Sequence, residues 1–493
     1  MISVFNRSIT RERRARRTVS LLLAVLLLSG CAVGPDYIKP DQEVPSGWID
    51  PSKASPSDPA ALASWWESFG DPVLTGLVAR GMSSNLDLEI ATERLRQSRA
   101  ALGQASGALW PSLDLNASHQ RSGSRLPGST VERAGDSSVT LSESGTRDLS
   151  RAGFDASWEI DLFGGTRRTV EAARANVRAS REDLRDVLVT VAGDIGQNYL
   201  TLRGLQEQLK VTRENLAAQE RSEQITKKRY DAGFASALDV SGAQAQAAST
   251  RAQIPALQAQ IRQTIYGLGL LLGQEPGALL AELEGEKPMP GVPARVPAGL
   301  PSELLQRRPD IRGAEARLHA ATARIGAAKA DLFPRFTLNG SASIQASDLV
   351  SWSESVSRLW SFGPSVSWNL FNGGATRARI EENRSLADEA FASYRKTILS
   401  ALQEVESAWV AFDRETERAA LLGTAVESNR RSVDLATRLY VEGQSDFLPV
   451  LDAQRSLYGA QQALITSRSQ ISTHLVSLYK ALGGGWDAEK AGE

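Results

Sequence analysis

The chain contains one cysteine in 493 residues, and the surroundings of that cysteine give the first chemical signal in the sequence. Cys31 follows the apolar run 21–28 and stands directly after the small residues Ser29 and Gly30. A thiolate is a good nucleophile, and a lone cysteine has no partner within the chain for a disulfide. We therefore interpret Cys31 as a site of covalent modification, with a buried or free thiol as the alternative.

The other reactive side chains form no pattern that is typical of an enzyme. The three histidines, His119, His319 and His474, are scattered along the sequence. There is no HExxH motif, no glycine-rich phosphate loop and no G-x-S-x-G motif. A single cysteine also excludes a zinc site built from several cysteines. We predict no catalysis, no metal site and no cofactor apart from a covalent group on Cys31.

The amino terminus has the composition of a secretory signal. Residues 1–17 contain six arginines and one acid, and the apolar stretch 19–28 is too short to span a hydrocarbon layer of ~30 Å. Residues 28–31, Leu-Ser-Gly-Cys, resemble the lipobox of bacterial lipoproteins. The resemblance implies cleavage after residue 30, a diacylglycerol on the Cys31 sulfur and an acyl group on the new amino terminus. Alanine at position 32, instead of aspartate, implies sorting to the outer membrane.

The charge and hydropathy of the mature chain limit its partners. Removal of residues 1–30 changes the formal net charge from −1 to −6, because six arginines and one glutamate are lost. An acidic chain argues against a nucleic-acid partner. No later segment has 18 consecutive apolar residues, so a mature chain that enters the bilayer beyond its lipid must do so with strands.

The mature sequence contains an internal duplication. RYDAGFASALDVSGAQ at 229–244 aligns with LYVEGQSDFLPVLDAQ at 439–454, an offset of 210 residues. WEIDLFGG at 158–165 aligns with WNLFNGG at 368–374. Each repeat therefore contains a strand pair, a long helix, a turn and a second helix. Chance similarity among helices rich in Ala, Gln and Arg is the alternative.

Four segments alternate apolar and polar residues with a period of two: 112–119, 154–162, 336–344 and 360–370. Each has about the length that a tilted strand needs to cross a bilayer, although a half-buried soluble sheet gives the same pattern. Four strands cannot close a membrane barrel, and open strand edges cannot face lipid. We therefore expect copies of the chain to associate, each contributing four strands. Long polar loops, 120–151 and 345–357, are expected within the pairs.

After each strand pair the apolar period changes to that of a helix. Segments 166–231 and 375–440 contain no proline, and each could form a helix of ~100 Å. Their apolar residues recur at steps of three and four, which is typical of coiled-coil seams, with a globular core as the alternative. Shorter helices are predicted at 72–108, 236–272, 302–332 and 446–482, with a kink or a helix start at Pro255.

These features divide the chain into six parts. They are a lipoprotein signal (1–30), a lipid-anchored N-terminal linker (31–71), a first repeat (72–275), a proline-rich linker (276–301), a second repeat (302–483) and a C-terminal tail (484–493).

The lipobox, the following CAVGPDYIKP, the duplicated strand pairs, the proline-free helices and two Tyr-x-x-Gly turns together resemble the TolC-type outer-membrane factor family, in its NodT-like lipoprotein branch. The resemblance implies an α+β membrane protein that forms a homotrimer. Four strands from each protomer would form a twelve-stranded β-barrel in the outer membrane, continued by a long periplasmic α-helical coiled-coil barrel. Segments 31–71 and 276–301 would contribute to an equatorial belt. The implied location is the outer membrane, lipid-anchored and extending into the periplasm.

The resemblance also implies a function and partners. The chain would be the passive exit channel of a tripartite efflux system for small molecules, such as drugs, toxic compounds or metal ions. Its partners would be a periplasmic adaptor (membrane fusion) protein, an inner-membrane transporter, commonly of the resistance-nodulation-division class, and outer-membrane lipid. Two alternatives stay open: the outer-membrane duct of a type I protein secretion system, and a structural coiled-coil lipoprotein without a pore.

The family forms its periplasmic tip, where the adaptor binds, from the two helix hairpin turns. The matching residues are Tyr230, Gly233 and Ser236 in the first turn and Tyr440, Gly443 and Ser445 in the second. A helix stop alone also favours glycine, because glycine adopts positive φ easily. After the second turn the family motif Asp-Val-Leu-Asp reads Pro449-Val450-Leu451-Asp452. Asp452 thus matches one gate carboxylate and Pro449 replaces the other, with an ordinary solvated aspartate as the alternative.

Overall fold

The structure, a computed structural model, describes residues 32–49, 56, 58–125, 129–131, 139–141, 144–293, 296–346 and 357–486. The signal segment, Cys31 and residues 487–493 of the tail lie outside these ranges.

The described chain is mainly helical, with strands between the helices. The helices are α1 (Pro59–Ala63), α2 (Pro72–Ser84), α3 (Leu86–Gly107), α4 (Gly165–Asp231), α5 (Ala237–Leu271), α6 (Leu280–Leu283), α7 (Pro301–Arg307), α8 (Pro309–Ala330), α9 (Ala375–Val441) and α10 (Leu448–Ala481). The strands are β1 (Ser112–Arg125), β2 (Ser129–Val131), β3 (Val139–Leu141), β4 (Ser144–Ile160), β5 (Arg335–Ala346) and β6 (Ser357–Ser367). No helix in the described ranges has both the length and the hydropathy of a membrane span.

The two long helices predicted from the proline-free segments are confirmed. Helices α4 and α9 each contain 67 residues, and their bounds differ from the prediction by one residue at most. The apolar side chains that define the predicted seams are largely buried, among them Val191, Ile195 and Leu202 in α4 and Tyr394 and Trp409 in α9.

Two of the shorter predicted helices are interrupted. The predicted helix 72–108 is divided at Asn85, whose backbone is extended. The Asn85 Oδ1 atom caps α3 by accepting from the N–H groups of Asp87 at 2.8 Å and Leu88 at 3.1 Å. The predicted helix 302–332 is divided at Arg308, because the residue before Pro309 is restricted to an extended conformation. Both interruptions therefore have a local cause.

Two other predictions also need correction. Helix α5 runs through the exposed Pro255 with no new helix start, so the kink is the part of that prediction that stays a prediction. The sequence predicts a loop over 120–151, but β1 extends to Arg125 and β4 begins at Ser144. A backbone ladder that pairs Arg125 with Ser144 continues regardless of side-chain polarity.

The main sheet is antiparallel, with the strand order β1-β4-β5-β6. Strand β4 pairs on one side with β1 and on the other with β5, so Phe154 lies between Leu115 and Ala342. This pairing joins strands of the two repeats. Gly153 allows the close approach of β5, because a Cβ there would lie only 2.4 Å from the Cβ of Ser343.

The chain divides into two compact units, and each draws on both repeats. The first contains the described residues within Met1–Ile38, Ser98–Val177 and Arg317–Phe391, and includes the sheet. The second contains those within Lys39–Gln97, Arg178–Ala316 and Ala392–Glu493. In the core of the second unit, Trp65 stacks on Tyr479 with ring centroids 5.5 Å apart, and Leu74 and Ile195 are completely buried.

Candidate functional site

One face of the sheet is apolar and exposed. Two neighbouring rows of residues cross the four strands on this face. One row is Leu115, Phe154, Ala342 and Trp360, and the other is Leu113, Ala156, Gly340 and Phe362. Trp360 is 81% exposed and Phe362 is 72% exposed. A water-facing sheet would not present large apolar side chains in continuous rows, so this face fits a lipid environment.

The opposite face of the sheet carries a network of polar side chains. The Asn116 amide donates to the Asp155 carboxylate at 2.9 Å. Asn339 accepts from the Ser157 hydroxyl at 3.1 Å and donates to the Ser365 hydroxyl at 3.0 Å, so it bridges β4 and β6. The period-two pattern of the sequence predicts the two faces. The hydrogen bonds between strands could not be predicted, because they depend on the register in which the strands pair.

The first described residues are fixed at the junction of β4 and α4. The Val33 N–H donates to the Phe163 carbonyl at 3.0 Å, and Arg168 Nε donates to the Val33 carbonyl at 3.3 Å. Gly164 has φ of +78°, and a Cβ there would lie 2.7 Å from Ala32. Cys31 is outside the described residues, but its neighbour Ala32 is held just beyond the end of β4.

The first hairpin turn is closed by hydrogen bonds and exposes aromatic side chains. Gly233 has φ of +80°, and the Phe234 N–H donates to the Arg229 carbonyl at 2.7 Å, which is the closing bond of a Schellman motif. Ser236 caps α5 in a capping box with Asp239, with bonds of 3.1 and 2.9 Å. Tyr230 is 47% exposed and Phe234 is 75% exposed.

The second hairpin turn repeats the helix stop of the first turn but not its helix start. Gly443 has φ of +76°, and the Gln444 N–H donates to the Leu439 carbonyl at 2.9 Å. The Ser445 hydroxyl donates to the Asp446 carbonyl at 3.3 Å instead of capping α10. The repeat offset places Asp446, not Ser445, opposite Ser236.

An arginine that the sequence analysis missed joins the two turns. The Arg229 guanidinium lies 4.8 Å from the ring centroid of Tyr440, and its Nη1 donates to the Val441 carbonyl at 2.9 Å. Tyr440 is only 4% exposed and packs against Phe447, with ring centroids 5.2 Å apart. The two matching tyrosines therefore differ, because Tyr440 is buried and Tyr230 is not.

Asp452 lies on an exposed face of α10. It forms no hydrogen bond or ion pair with another described residue, while its neighbours Leu451 and Gln454 are buried. Pro449 occupies the first turn of α10, where its missing N–H is not needed by the helix. The structure thus leaves the Asp452 carboxylate free to face water or other copies of the chain.

A charged cluster in the second unit was also missed by the sequence analysis. The guanidinium groups of Arg185 and Arg312 lie 4.8 and 5.3 Å from the Trp486 ring centroid. Glu182 pairs with both arginines, at 2.6 and 2.9 Å. Burial raises the pKa of Glu182 although these arginines oppose the shift. Burial, reinforced by Asp310, also raises the pKa of Asp186.

The histidines are not brought together. His119 lies in β1, His319 in α8 and His474 in α10. Within the described ranges, no three His, Cys, Asp or Glu side chains are placed to hold a metal ion.

Comparisons with known proteins agree over nearly the whole chain. Residues 78–274 and 300–484 match the family described as outer membrane efflux protein. The chain is 33% identical over 470 residues to Nodulation protein T of Rhizobium leguminosarum bv. trifolii, which covers 95% of this chain and 97% of that protein. It is 34% identical over 484 residues to the pyoverdine export outer membrane protein OpmQ of Pseudomonas aeruginosa, covering 97% and 98%. The solved outer-membrane channel OprN superposes with a TM-score of 0.83 at 36% identity, covering 93% of this chain and all of that one.

Proposed function

The chain belongs to the outer membrane efflux protein family. We propose that it passively conducts small molecules, such as drugs, toxic compounds or metal ions, which a resistance-nodulation-division transporter delivers. It is an outer-membrane exit channel of a tripartite efflux system, with the fold class of trimeric α+β channels. The efflux function predicted from the sequence is thereby favoured over the secretion duct and the non-pore lipoprotein. The homologues are channel proteins, and we propose that this chain likewise performs no catalysis.

The observation that carries this proposal is the two-faced sheet. Its apolar face, with Trp360 and Phe362, would meet lipid, and its polar face, with Asn116 and Asn339, would meet water. Strands β1 and β6 are the edges of this sheet, and unpaired strand edges are too costly in lipid. The edges would therefore pair with those of sister subunits.

The lipid anchor at Cys31 is part of the proposal. The contacts of Ala32 and Val33 just beyond β4 support it, because they would hold the acylated cysteine close to the membrane-facing sheet. Cells grown with labelled palmitate should label the native chain and not a Cys31→Ser variant. Equal labelling of both chains would exclude Cys31 as the acylated residue.

We also propose that the two hairpin turns bind the adaptor, through the segments that contain Tyr230, Gly233, Ser236, Tyr440, Gly443 and Ser445. Support comes from Phe234 and Tyr230, which are exposed on a turn that a capping box at Ser236 follows. Since Cys31 would be acylated, a Phe234→Cys variant carries a unique thiol for a photoreactive maleimide. It should crosslink to the adaptor in cells, whereas Gly423→Cys in α9 should not.

The Asp452 carboxylate is proposed as the gate residue. Three copies around a narrow axis would favour cations and disfavour anions. Reversal potentials in a salt gradient should show cation preference that falls in Asp452→Asn. An unchanged reversal potential would remove Asp452 from the gate.

Deletion of the gene tests the proposed function as a whole. The deletion strain should become more sensitive to one or more classes in a panel of antibiotics, dyes, detergents and metal salts, and the native gene should restore resistance. Unchanged susceptibility together with loss of a secreted protein would contradict the proposal and favour protein secretion.

A further inference from the structure

A cavity of about 520 Å³ lies within the second unit, between the proline-rich linker and helices α9 and α10. The linker side of the cavity is formed by Pro288, Met289 and Pro293, and the helix side includes Phe412 and Ile471. Both the volume and the predominance of apolar walls are typical of small-molecule sites in proteins.

The linker wall is held in place by contacts with the helices. Arg203 Nη1 donates to the Gly285 carbonyl at 3.3 Å, and the Ser472 hydroxyl lies 3.9 Å from the Met289 sulfur. Its prolines restrict the backbone further, because their φ angle is fixed by the ring. A preformed wall lowers the entropic cost of binding a ligand.

Two opposite charges line this cavity without partners. Glu207, which is half-buried, and Arg468, which is exposed, both line the cavity. Neither side chain forms an ion pair or hydrogen bond with another described residue, and the two do not pair with each other. A charged side chain beside apolar walls is stabilised by a charge-assisted hydrogen bond when a ligand supplies the opposite charge.

We propose that the cavity binds a zwitterionic amphiphile of low molecular mass. Its ammonium group would pair with Glu207, its carboxylate with Arg468, and its apolar body would lie against Phe412 and the prolines of the linker. This goes beyond the channel function, because the cavity lies within a single chain and binding there involves no transport.

The test uses norfloxacin, which is zwitterionic near neutral pH, with the purified full-length trimer in lipid nanodiscs. Decarboxylated norfloxacin keeps only the cation, and N-acetylnorfloxacin keeps only the anion. Equilibrium dialysis should give about tenfold tighter binding of norfloxacin than of either analogue, as expected for one charge-assisted contact.

Each variant should affect only the probes that carry the opposite charge. Glu207→Gln should weaken norfloxacin and the decarboxylated analogue about tenfold and leave N-acetylnorfloxacin unchanged. Arg468→Gln should weaken norfloxacin and N-acetylnorfloxacin and leave the decarboxylated analogue unchanged. Glu214→Gln, an exposed glutamate two turns further along α4, should change none of them.

Met289→Trp gives an independent check because it fills the cavity and keeps both charges. It should abolish binding of all three probes, while the trimer keeps its elution volume and helical circular dichroism. The proposal would be overturned if norfloxacin did not bind the native trimer. It would also be overturned if Met289→Trp still bound the probes, or if neither Glu207→Gln nor Arg468→Gln changed the affinity for norfloxacin.

Discussion

At the scale of single residues, Asp186 determines a pH dependence of stability. Burial, reinforced by the nearby Asp310, raises its pKa in the folded chain above the ordinary value of 3.8. The folded chain therefore binds this proton more tightly than the unfolded chain does. The stability of the folded chain therefore falls as the pH rises from about the ordinary pKa through the raised pKa, and it stays lower at higher pH.

An Asp186→Asn variant should remove this loss of stability. We expect it to unfold at a higher temperature than the native chain at pH 7, with the difference disappearing near pH 3, where both states of the native chain are protonated. Thermal unfolding followed by circular dichroism at the two pH values measures this. The exposed Asp388→Asn in α9 serves as the control. An equal stabilisation at both pH values would contradict the role of ionisation.

The contact of Arg229 with the second turn leads to another prediction at this scale. Arg229→Met removes both the contact with Tyr440 and the bond to the Val441 carbonyl, so the turns should separate more easily. The loss should be about 1–2 kcal/mol of stability, together with larger conductance steps in planar bilayers. The neighbouring exposed Lys228→Met is the control. Unchanged steps with native stability would show that Arg229 does not hold the turns together.

Single residues were predicted from the sequence where the cause is local. Gly233 and Gly443 could be predicted because a helix stop needs a positive φ. Arg229 and Trp486 could not, because their partners are remote in the sequence and only the fold brings them together. Position 229 did carry a weak signal, since the matching residue of the second repeat is Leu439.

At the scale of the elements, the helix stop at Gly233 can be tested against a glycine inside a helix. Gly233→Ala should destabilise by about 1 kcal/mol, because alanine is strained at positive φ. Gly423→Ala in α9 should stabilise by about 0.5–1 kcal/mol, because alanine favours the helix and a Cβ there meets no atom within 4 Å. Denaturant unfolding of both variants should give opposite signs, and equal signs would contradict this account of the turn.

The two faces of β6 allow a matched test of the sheet. Phe362→Lys places a charge on the apolar face and should cost about 2–4 kcal/mol in a membrane, whereas Ser361→Lys on the polar face should be tolerated. The amount of each variant in the outer-membrane fraction measures the difference. Equal insertion of the two variants would mean that the apolar face does not meet lipid.

The helices and strands were largely predictable because their periodicity is long and regular. The interruption at Asn85 could not be predicted, because in the sequence a capping asparagine cannot be distinguished from an ordinary polar residue on the exposed face of a helix. The outer parts of β1 and β4 were missed because a paired backbone ladder needs no apolar side chains. Element type thus followed from pattern, and element ends depended on hydrogen bonds.

At the scale of the whole molecule, the duplication was visible in the sequence but the arrangement of its halves was not. The pairing of β4 with β5 joins the two repeats in one sheet, and both compact units contain segments of each repeat. Alternation identifies a strand but not its neighbour. The need for sister subunits, in contrast, followed from counting four strands.

The most direct test of the central claim is the conductance of the purified, lipidated trimer in planar bilayers. We predict discrete, uniform steps of current, because three chains together enclose a water-filled channel. Protein with native helix and strand content that elutes as a monomer, or that gives no steps above those of an empty bilayer, would contradict the account.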